Sequence, residues 1–332
     1  MNIAFFEVED WEKEYLREKL AEHALEFYPG TLEADNAGGM ENTDVLSVFI
    51  YSTVDKPVLE QLPTLKLIVT RSTGFDHIDI DECKKRNITV CNVPSYGENT
   101  VAEHTFALIL TLSRNLYKAC VKRLTGDFST GGLKGFDLKD KTLGVVGTGR
   151  IGLHVIRIGK GFGMNVLAYD VRQNELLAEV LGFTYVPLEQ LLAESQIVTL
   201  HLPYNRHTHH LIDAEKFKLM RSGSFLINTA RGAIVDTAAL IEALGNGTLA
   251  GAGLDVLEGE EFIKEETAVL YEFNKPEVLS VIAKNEIVLR RQNVVYTPHI
   301  AFDSQEALDR ILETTVKNIT NFLSGKTCTS VT

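Results

Sequence analysis

Short apolar runs alternate with amphipathic stretches along the whole chain, and the alternation predicts strands and helices in turn. Residues 2–8 (NIAFFEV), 44–52 (DVLSVFIYS), 65–72 (LKLIVTRS) and 88–93 (ITVCNV) are apolar, largely β-branched runs bounded by turn formers. Between the first two, residues 11–23 carry Trp11, Tyr15, Leu16 and Leu20 at helical spacing. From residue 142 the alternation restarts, with strands expected at TLGVVG, NVLAYD, QIVTLHL, SFLINTA, AGAGLDVL and NVVYTPH and helices between them. Residues 236–247 open on Asp236 and close at Gly247, and residues 304–325 open on Ser304 and close on Gly325, as capped helices do. Apolar strands separated by helices imply α/β architecture with parallel sheets covered on both faces.

Residues 101–119 (VAEHTFALILTLSRNLYKA) read as one helix whose apolar residues cover more than one face. Such a helix is buried on several sides, either in a core or at a domain junction or subunit interface, and periodicity does not choose between these. The stretch from 260 to 294 is acidic and irregular and yields no pattern. No internal repeat or low-complexity tract is visible.

A length of 332 residues suggests two domains. Lys and Arg number 33 against 45 Asp and Glu, a formal net charge of −12. That balance argues against nucleic acid or an anionic membrane as the main partner, since both demand a basic face. Apolar runs such as TFALILTLS fall short of the ~20 residues a membrane span needs, and the first residues lack a basic n-region. Cys83, Cys91, Cys120 and Cys328 form no CxxC pair. They are expected to act as small apolar residues in a reducing cytoplasm.

The strongest chemical signal is Gly147-Thr148-Gly149-Arg150-Ile151-Gly152, between a strand and a helix. Gly147 permits the tight turn, Gly149 lets backbone approach a pyrophosphate, and Gly152 permits close helix–strand packing. The helix N-terminus offers N–H groups and partial positive charge to the phosphates. The next strand ends in Asp170, eighteen residues past Gly152. There a carboxylate binds the adenosine ribose hydroxyls and repels a 2′-phosphate, which favours NAD over NADP. The motif lies far from the N-terminus, so another α/β unit precedes the cofactor domain, and the substrate is expected between the two.

Three further strand ends carry candidate chemistry. INTARGAIVD places Arg231 in a loop, GLDVLEGEE carries Asp255, Glu258, Glu260 and Glu261, and VVYTPHIAF puts His299 behind Pro298. Each alone reads as a surface charge or turn residue; together, beside one cofactor motif at strand carboxyl ends, they suggest an active site. His207, His209 and His210 invite a metal-site reading, but the stretch reads as an ordinary loop before a helix, and no metal is expected. His77, His104, His154, His201 and Trp11 read as structural.

With these residues in hand, the chain resembles the D-isomer-specific 2-hydroxyacid dehydrogenases, most closely their D-lactate dehydrogenase branch. The resemblance runs from about residue 45 to 325 through LKLIVTRSTGFDHIDID, ITVCNVPSYGENTVAEHTFALIL, TLGVVGTGRIG, LHLPYNRHTHHLI, INTARGAIVD, GLDVLEGE and TPHIAF, in family order. It implies two doubly wound parallel-sheet domains, a Rossmann NAD-binding domain (102–298) inserted into a flavodoxin-like substrate domain (1–101 and 299–332). Hinges fall near Val101 and Pro298. It also implies a homodimer built around the cofactor domain and the 101–119 helix.

The resemblance makes Arg231 the residue that binds the substrate carboxylate and polarises the keto oxygen, which a bidentate guanidinium suits. His299 becomes the acid/base, and Glu260 its partner, since a carboxylate stabilises a protonated imidazole. Glu258 is the competing carboxylate. Asp255 corresponds to the group that holds the nicotinamide carboxamide. Thr73 and Gly74 correspond to the backbone amides that receive the substrate carboxylate, Tyr96 to an aromatic hydroxyl at that carboxylate, and Phe302 to an aromatic at the pocket roof. Thr100, Arg150, Ile151, Leu202, Pro203, Thr208, Thr229 and Ala230 fall on cofactor contacts.

The implied reaction is hydride transfer between NADH and a small 2-oxo acid, pyruvate to D-lactate first. A bulkier 2-oxo acid, hydroxypyruvate or phosphite are the alternatives. Formate is disfavoured, because that branch pairs its His with Gln. A non-catalytic NAD-sensing adaptor, like the family's corepressors, is the reading from another class. Phe302 and the 49–51 segment set the pocket size only in three dimensions.

Overall fold

The apolar runs assemble into two separate, all-parallel sheets. The structure is a computed structural model that describes residues 1–260 and 276–332. The first sheet comprises β1 (Asn2–Phe6), β2 (Ala24–Tyr28), β3 (Val45–Val48), β4 (Leu67–Thr70) and β5 (Thr89–Cys91). Its order is β2-β1-β3-β4-β5, the flavodoxin-like doubly wound arrangement. Alternate residues of each strand feed two cores, one per face. Leu46, Ile68 and Val90 pack with Val58, Leu59 and Leu32, while Phe5, Val45 and Leu67 pack with Leu16, Leu312 and Ile319. Leu312 and Ile319 belong to the helix Gln305–Leu323, whose Ser304 cap accepts from the Ala307 amide.

The second sheet comprises β6 (Thr142–Val146), β7 (Asn165–Tyr169), β8 (Thr184–Tyr185), β9 (Ile197–Leu200), β10 (Ser224–Asn228), β11 (Leu249–Leu254) and β12 (Val294–Tyr296). Its order is β12-β11-β10-β9-β6-β7-β8. Read from β8 inward, the strands follow the 3-2-1-4-5-6 dinucleotide-binding order with a seventh strand added. Two compact units result, Met1–Tyr96 with Ser304–Thr332, and Gly97–Asp303. The expected crossings near Val101 and Pro298 lie five residues inside these limits. The helix Glu98–Ser113 packs wholly in the second unit, and Ile300 and Ala301 are bonded to Asp255 there.

The structure corrects the sequence reading at several points. The 101–119 helix is two helices, Glu98–Ser113 and Leu116–Leu124, parted at Asn115, which is left-handed at φ 51°. The chain around Gly135 causes the break. Phe136 donates to the Ser113 carbonyl, and a Cβ on Gly135 would lie 2.1 Å from that oxygen. The helix expected over 11–23 is Asp10–Lys19, and β2 follows at once. β2 and β8 were not expected: both are partly exposed edge strands, β2 interrupted by Glu26 and β8 only two residues long. Part of the unreadable segment forms the helix Pro276–Leu289. Glu261 lies outside the described residues. The reading of the cysteines as mostly small apolar residues fits Cys83, whose buried thiol is pushed up to about 11. It fails for Cys91 and Cys328, which form a disulfide across Cα atoms 6.5 Å apart, within the ordinary span. A pairing 237 residues apart leaves no spacing motif.

A buried arginine organises the first unit. Arg71 is 2% exposed. Its guanidinium donates to the carbonyls of Phe6 and Glu7 and to Ser47 Oγ, and its Nε lies 3.7 Å from the buried Glu12 carboxylate. Burial raises the Glu12 pKa, and the Arg71 charge opposes that rise. Removing one partner strands the other and two carbonyls away from water. Arg71→Met is therefore expected to cost about 3 kcal/mol in urea unfolding, with part regained in Arg71→Met/Glu12→Gln. A loss below about 1 kcal/mol would assign this hub no structural weight.

Candidate functional site

The glycine turn after β6 has the shape its spacing predicts. Gly147 is left-handed at φ 99°, and a Cβ there would sit 2.4 Å from the His201 carbonyl oxygen. A Cβ on Gly152 would sit 2.0 Å from the Gly147 oxygen, whereas around Gly149 there is open space. The three glycines therefore put no side chain of their own at the approach to the N-terminus of the helix Arg150–Gly161, as a pyrophosphate requires. Asp170, directly after β7, accepts from the Thr148 amide at 2.7 Å and from the Arg172 amide at 2.9 Å. The turn and the Asp170 carboxylate are thus one hydrogen-bonded piece. The residues present fit a dinucleotide.

The other expected cofactor contacts lie in the same unit. Leu202 covers the Gly147 position. Thr208 Oγ1 donates to the Pro203 carbonyl at 2.7 Å. Thr229 Oγ1 meets Thr105 Oγ1 at 3.1 Å, and the Ala230 amide donates to Asn228 Oδ1. Thr100 lies on the first turn of Glu98–Ser113, and Arg150, followed by Ile151, pairs with Glu98 at 3.3 Å. β6 and β9 are the adjacent strands from which the sheet is wound in opposite directions, the crevice where ligands bind. Burial pushes His201, bonded to Thr199 at 2.8 Å, down to about 3, so its ring is neutral.

His299 follows β12 in a left-handed conformation, φ 54°. For a residue with a Cβ this costs roughly 1–3 kcal/mol. Its Nδ1 lies 2.6 Å from Glu260 Oε1. A carboxylate only accepts, so Nδ1 carries the proton. Both side chains are about 15% exposed. Glu260 Oε2 accepts from the Leu257 amide at 3.2 Å, which fixes the carboxylate at both oxygens. Phe302 stands edge-on to the imidazole with ring centres 6.5 Å apart. Arg231 follows β10, and its carbonyl accepts from Asn228 Nδ2 at 2.9 Å. Glu258, the competing carboxylate, bonds His210 at 2.7 Å instead.

Asp255 was expected at the nicotinamide. Its fully buried carboxylate accepts from the Thr297 hydroxyl and from the Ile300 and Ala301 amides at 3.0 and 2.9 Å. Its own carbonyl takes the His299 amide at 2.8 Å. Asp255 therefore clamps the turn that carries His299. Burial, with the charges of Glu260 and Asp255 added to it, pushes the Tyr296 phenol up to about 12.

In the first unit, Thr73 Oγ1 donates to the Val93 carbonyl and the Thr73 carbonyl accepts from Asn92 Nδ2. Among the described residues the Thr73 and Gly74 amides have no protein acceptor. The Tyr96 carbonyl accepts from Arg310. Sequence reasoning missed Glu7. Left-handed at φ 54°, it accepts from the amides of Phe49, Tyr51 and Ser52 and from the Ser52 hydroxyl. It links β1 to the loop after β3, where this sheet reverses its winding. A lone acid after an apolar run carries no signal of that role. Asn228, Thr297 and His104, which contacts Thr297 at 2.9 Å, were likewise not singled out for the site. Among the described residues no three His, Cys, Asp or Glu side chains gather as a metal site, and no helix is long and apolar enough to cross a membrane.

Comparison with known proteins shows the family. The model of the D-isomer specific 2-hydroxyacid dehydrogenase NAD binding domain matches residues 106–301. D-lactate dehydrogenase of Escherichia coli (strain K12) is 35% identical over 336 residues, 99% of this chain and 98% of that protein. Glyoxylate reductase of Thermococcus litoralis is 37% identical over 86% of this chain and 82% of that protein. The crystal structure of D-lactate dehydrogenase from Aquifex aeolicus, complexed with NAD and lactic acid, superposes with a TM-score of 0.87 at 40% identity, covering 98% of this chain and 96% of that one. The chain belongs to the D-isomer-specific 2-hydroxyacid dehydrogenase family. It is an NAD-dependent enzyme of that class. Asp170→Ala is expected to lower the preference for NADH over NADPH by at least about tenfold, a change of 1.4 kcal/mol, in paired titrations followed by protein fluorescence. An unchanged preference would remove Asp170 from cofactor selection.

Proposed function

We propose that this enzyme reduces a small 2-oxo acid to the D-2-hydroxy acid reversibly, with pyruvate and D-lactate as the physiological pair. The observation that carries the proposal is the His299–Glu260 hydrogen bond at 2.6 Å, in the unit that also holds Arg231 and the glycine turn. When bound, NADH supplies the hydride. His299 donates a proton from Nε2 to the carbonyl oxygen while Glu260 holds Nδ1. Arg231 binds the substrate carboxylate and draws electron density from the carbonyl. Thr73, Gly74 and Tyr96 are assigned to the substrate carboxylate and Phe302 to the pocket wall. Reduction needs His299 protonated and oxidation needs it neutral, so the two directions favour lower and higher pH respectively.

Pyruvate rests on similarity to the lactate enzymes, and the Thermococcus litoralis relative keeps glyoxylate as the second reading. NADH oxidation assayed with pyruvate, glyoxylate, hydroxypyruvate and an aromatic 2-oxo acid, beside NAD reduction assayed with phosphite, is expected to give the highest kcat/KM for pyruvate. A higher value for another acid reassigns the substrate, and no oxidation with any of them overturns the reaction. His299→Ala is expected to lower kcat by at least about a hundredfold while NADH binds as before. Retained turnover would refute its role.

The reading includes a homodimer. Leu116, Tyr117, Val121, Leu124 and Phe128 are exposed apolar residues on the helix Leu116–Leu124 and the segment after it, a patch that suits a subunit contact. Sedimentation equilibrium is expected to give twice the chain mass, and Leu124→Glu/Phe128→Glu to lower it. We also place the enzyme in the cytoplasm. In that compartment Cys91 and Cys328 are expected to be held as two reduced thiols.

A further inference from the structure

A second histidine–carboxylate pair lies in the same unit as the first. His210 Nε2 is 2.7 Å from Glu258 Oε1, and Thr237 Oγ1 donates to Glu258 Oε2 at 3.0 Å. The Glu258 carbonyl accepts from Asn285 Nδ2 at 2.9 Å. Four elements therefore meet on one residue, the loop before Ala214–Leu219, the helix Thr237–Asn246, the helix Pro276–Leu289 and the turn after β11. The proposed reaction assigns none of these groups a part.

Their neighbours in the chain are the residues that the reaction needs. The His210 amide donates to the Ala233 carbonyl at 2.9 Å, inside the 3-10 turn Gly232–Ile234 that starts right after Arg231. That turn lies flat against the Glu258 segment, for a Cβ on Gly232 would stand 2.0 Å from the Leu257 carbonyl carbon and 2.3 Å from the Glu258 nitrogen. Two residues past Glu258, the Glu260 amide donates to the Leu257 carbonyl at 3.2 Å and the Glu260 carboxylate takes His299. His210 thus holds the Arg231 loop with its backbone and the Glu260 turn with its side chain.

We propose that His210 and Glu258, with Thr237, are positioning residues that lock the Arg231 loop to the Glu260 turn and so set where the guanidinium and the His299–Glu260 pair stand relative to each other. The inference rests on the dehydrogenase reading above. Both side chains are partly exposed, 34% and 24%, so their effect is one of placement. Misplacement on the ångström scale is enough to slow a reaction that depends on alignment.

The test is Glu258→Ala beside Glu258→Gln and His210→Ala in the full-length enzyme. Glu258→Gln keeps one acceptor oxygen for His210 and offers an NH2 donor that the Thr237 hydroxyl can accept, and it is expected within about threefold of the parent; Glu258→Ala is expected to lose about tenfold in kcat and to raise the KM for the 2-oxo acid a few-fold. The pH profile of reduction should also change, because a displaced Glu260 no longer meets Nδ1 of His299. NADH affinity should stay within about twofold. His210→Ala/Glu258→Ala should cost no more than Glu258→Ala alone, as parts of one unit do. Independently of turnover, the proton NMR signal of the His299 Nδ1–H should shift or vanish in Glu258→Ala and return in Glu258→Gln. Parent-like kcat and pH profile in Glu258→Ala, or a kcat loss that follows only a lowered Tm with the His299 signal unmoved, would overturn the proposal. If the parent enzyme turns over no 2-oxo acid, the dehydrogenase reading fails, and the NMR arm shows separately whether Glu258 places Glu260.

Discussion

The buried carboxylate of Asp255 is the constraint on which the second unit's chemistry depends. It ends β11, the strand beside β12, and spends its oxygens on Thr297, Ile300 and Ala301, the residues that flank His299. A left-handed histidine is held against its backbone preference by bonds on both sides. Without those bonds the imidazole has no fixed direction, and Glu260 has nothing to meet. The charge itself is tolerable only because three donors satisfy it; an isolated carboxylate at that depth would be neutralised or would open the structure.

Parallel strand order puts these pieces at one end of one sheet. All seven strands of the second unit run the same way, so the glycine turn, Asp170, His201, Arg231, Asp255 and His299 each fall just past a strand's carboxyl end. The first unit repeats the logic with different residues. Glu7 follows β1 and gathers the amides after β3, the two strands between which that sheet reverses. Arg71 follows β4 and holds the carbonyls before and at Glu7. A strand end is where side chains leave the packed interior with backbone still rigid, and that is what a site needs.

What was legible in the sequence was local. The glycine turn and the acid that follows it are read from one βαβ unit, because tight turn, close backbone approach and strand end are all set within thirty residues. Caps at Asp236 and Ser304 are equally local, and the structure has both. The long-range partners were not legible. Asn115 looks like a helical residue until Gly135 is seen to press on Ser113. Cys91 and Cys328 share no motif. Glu7 and Arg71 look like a surface acid and a strand-end cation, and only the fold shows them as organisers, Arg71 buried and Glu7 half-buried. Residues that act through another residue leave little trace, because their requirement is a position in space.

Glu258 and Glu260 carry this furthest. Two glutamates separated by one glycine offer the same chemistry in sequence, and each finds a histidine in the fold. Both histidines are left-handed, at φ 48° and 54°, and both pairs are close, at 2.7 and 2.6 Å. A histidine–carboxylate contact is therefore no signature of catalysis by itself. The difference lies in what holds the histidine. His299 is fixed to a strand end by a buried carboxylate and half as exposed as His210, whereas His210 sits in a loop and bonds the backbone of another loop. The acid/base role proposed for His299 needs one fixed direction, which its bonds to Asp255 and Glu260 supply; the strut proposed at His210 needs only to touch two segments, and it touches both. Gly259 between the acids, left-handed at φ 66°, lets adjacent side chains face opposite duties.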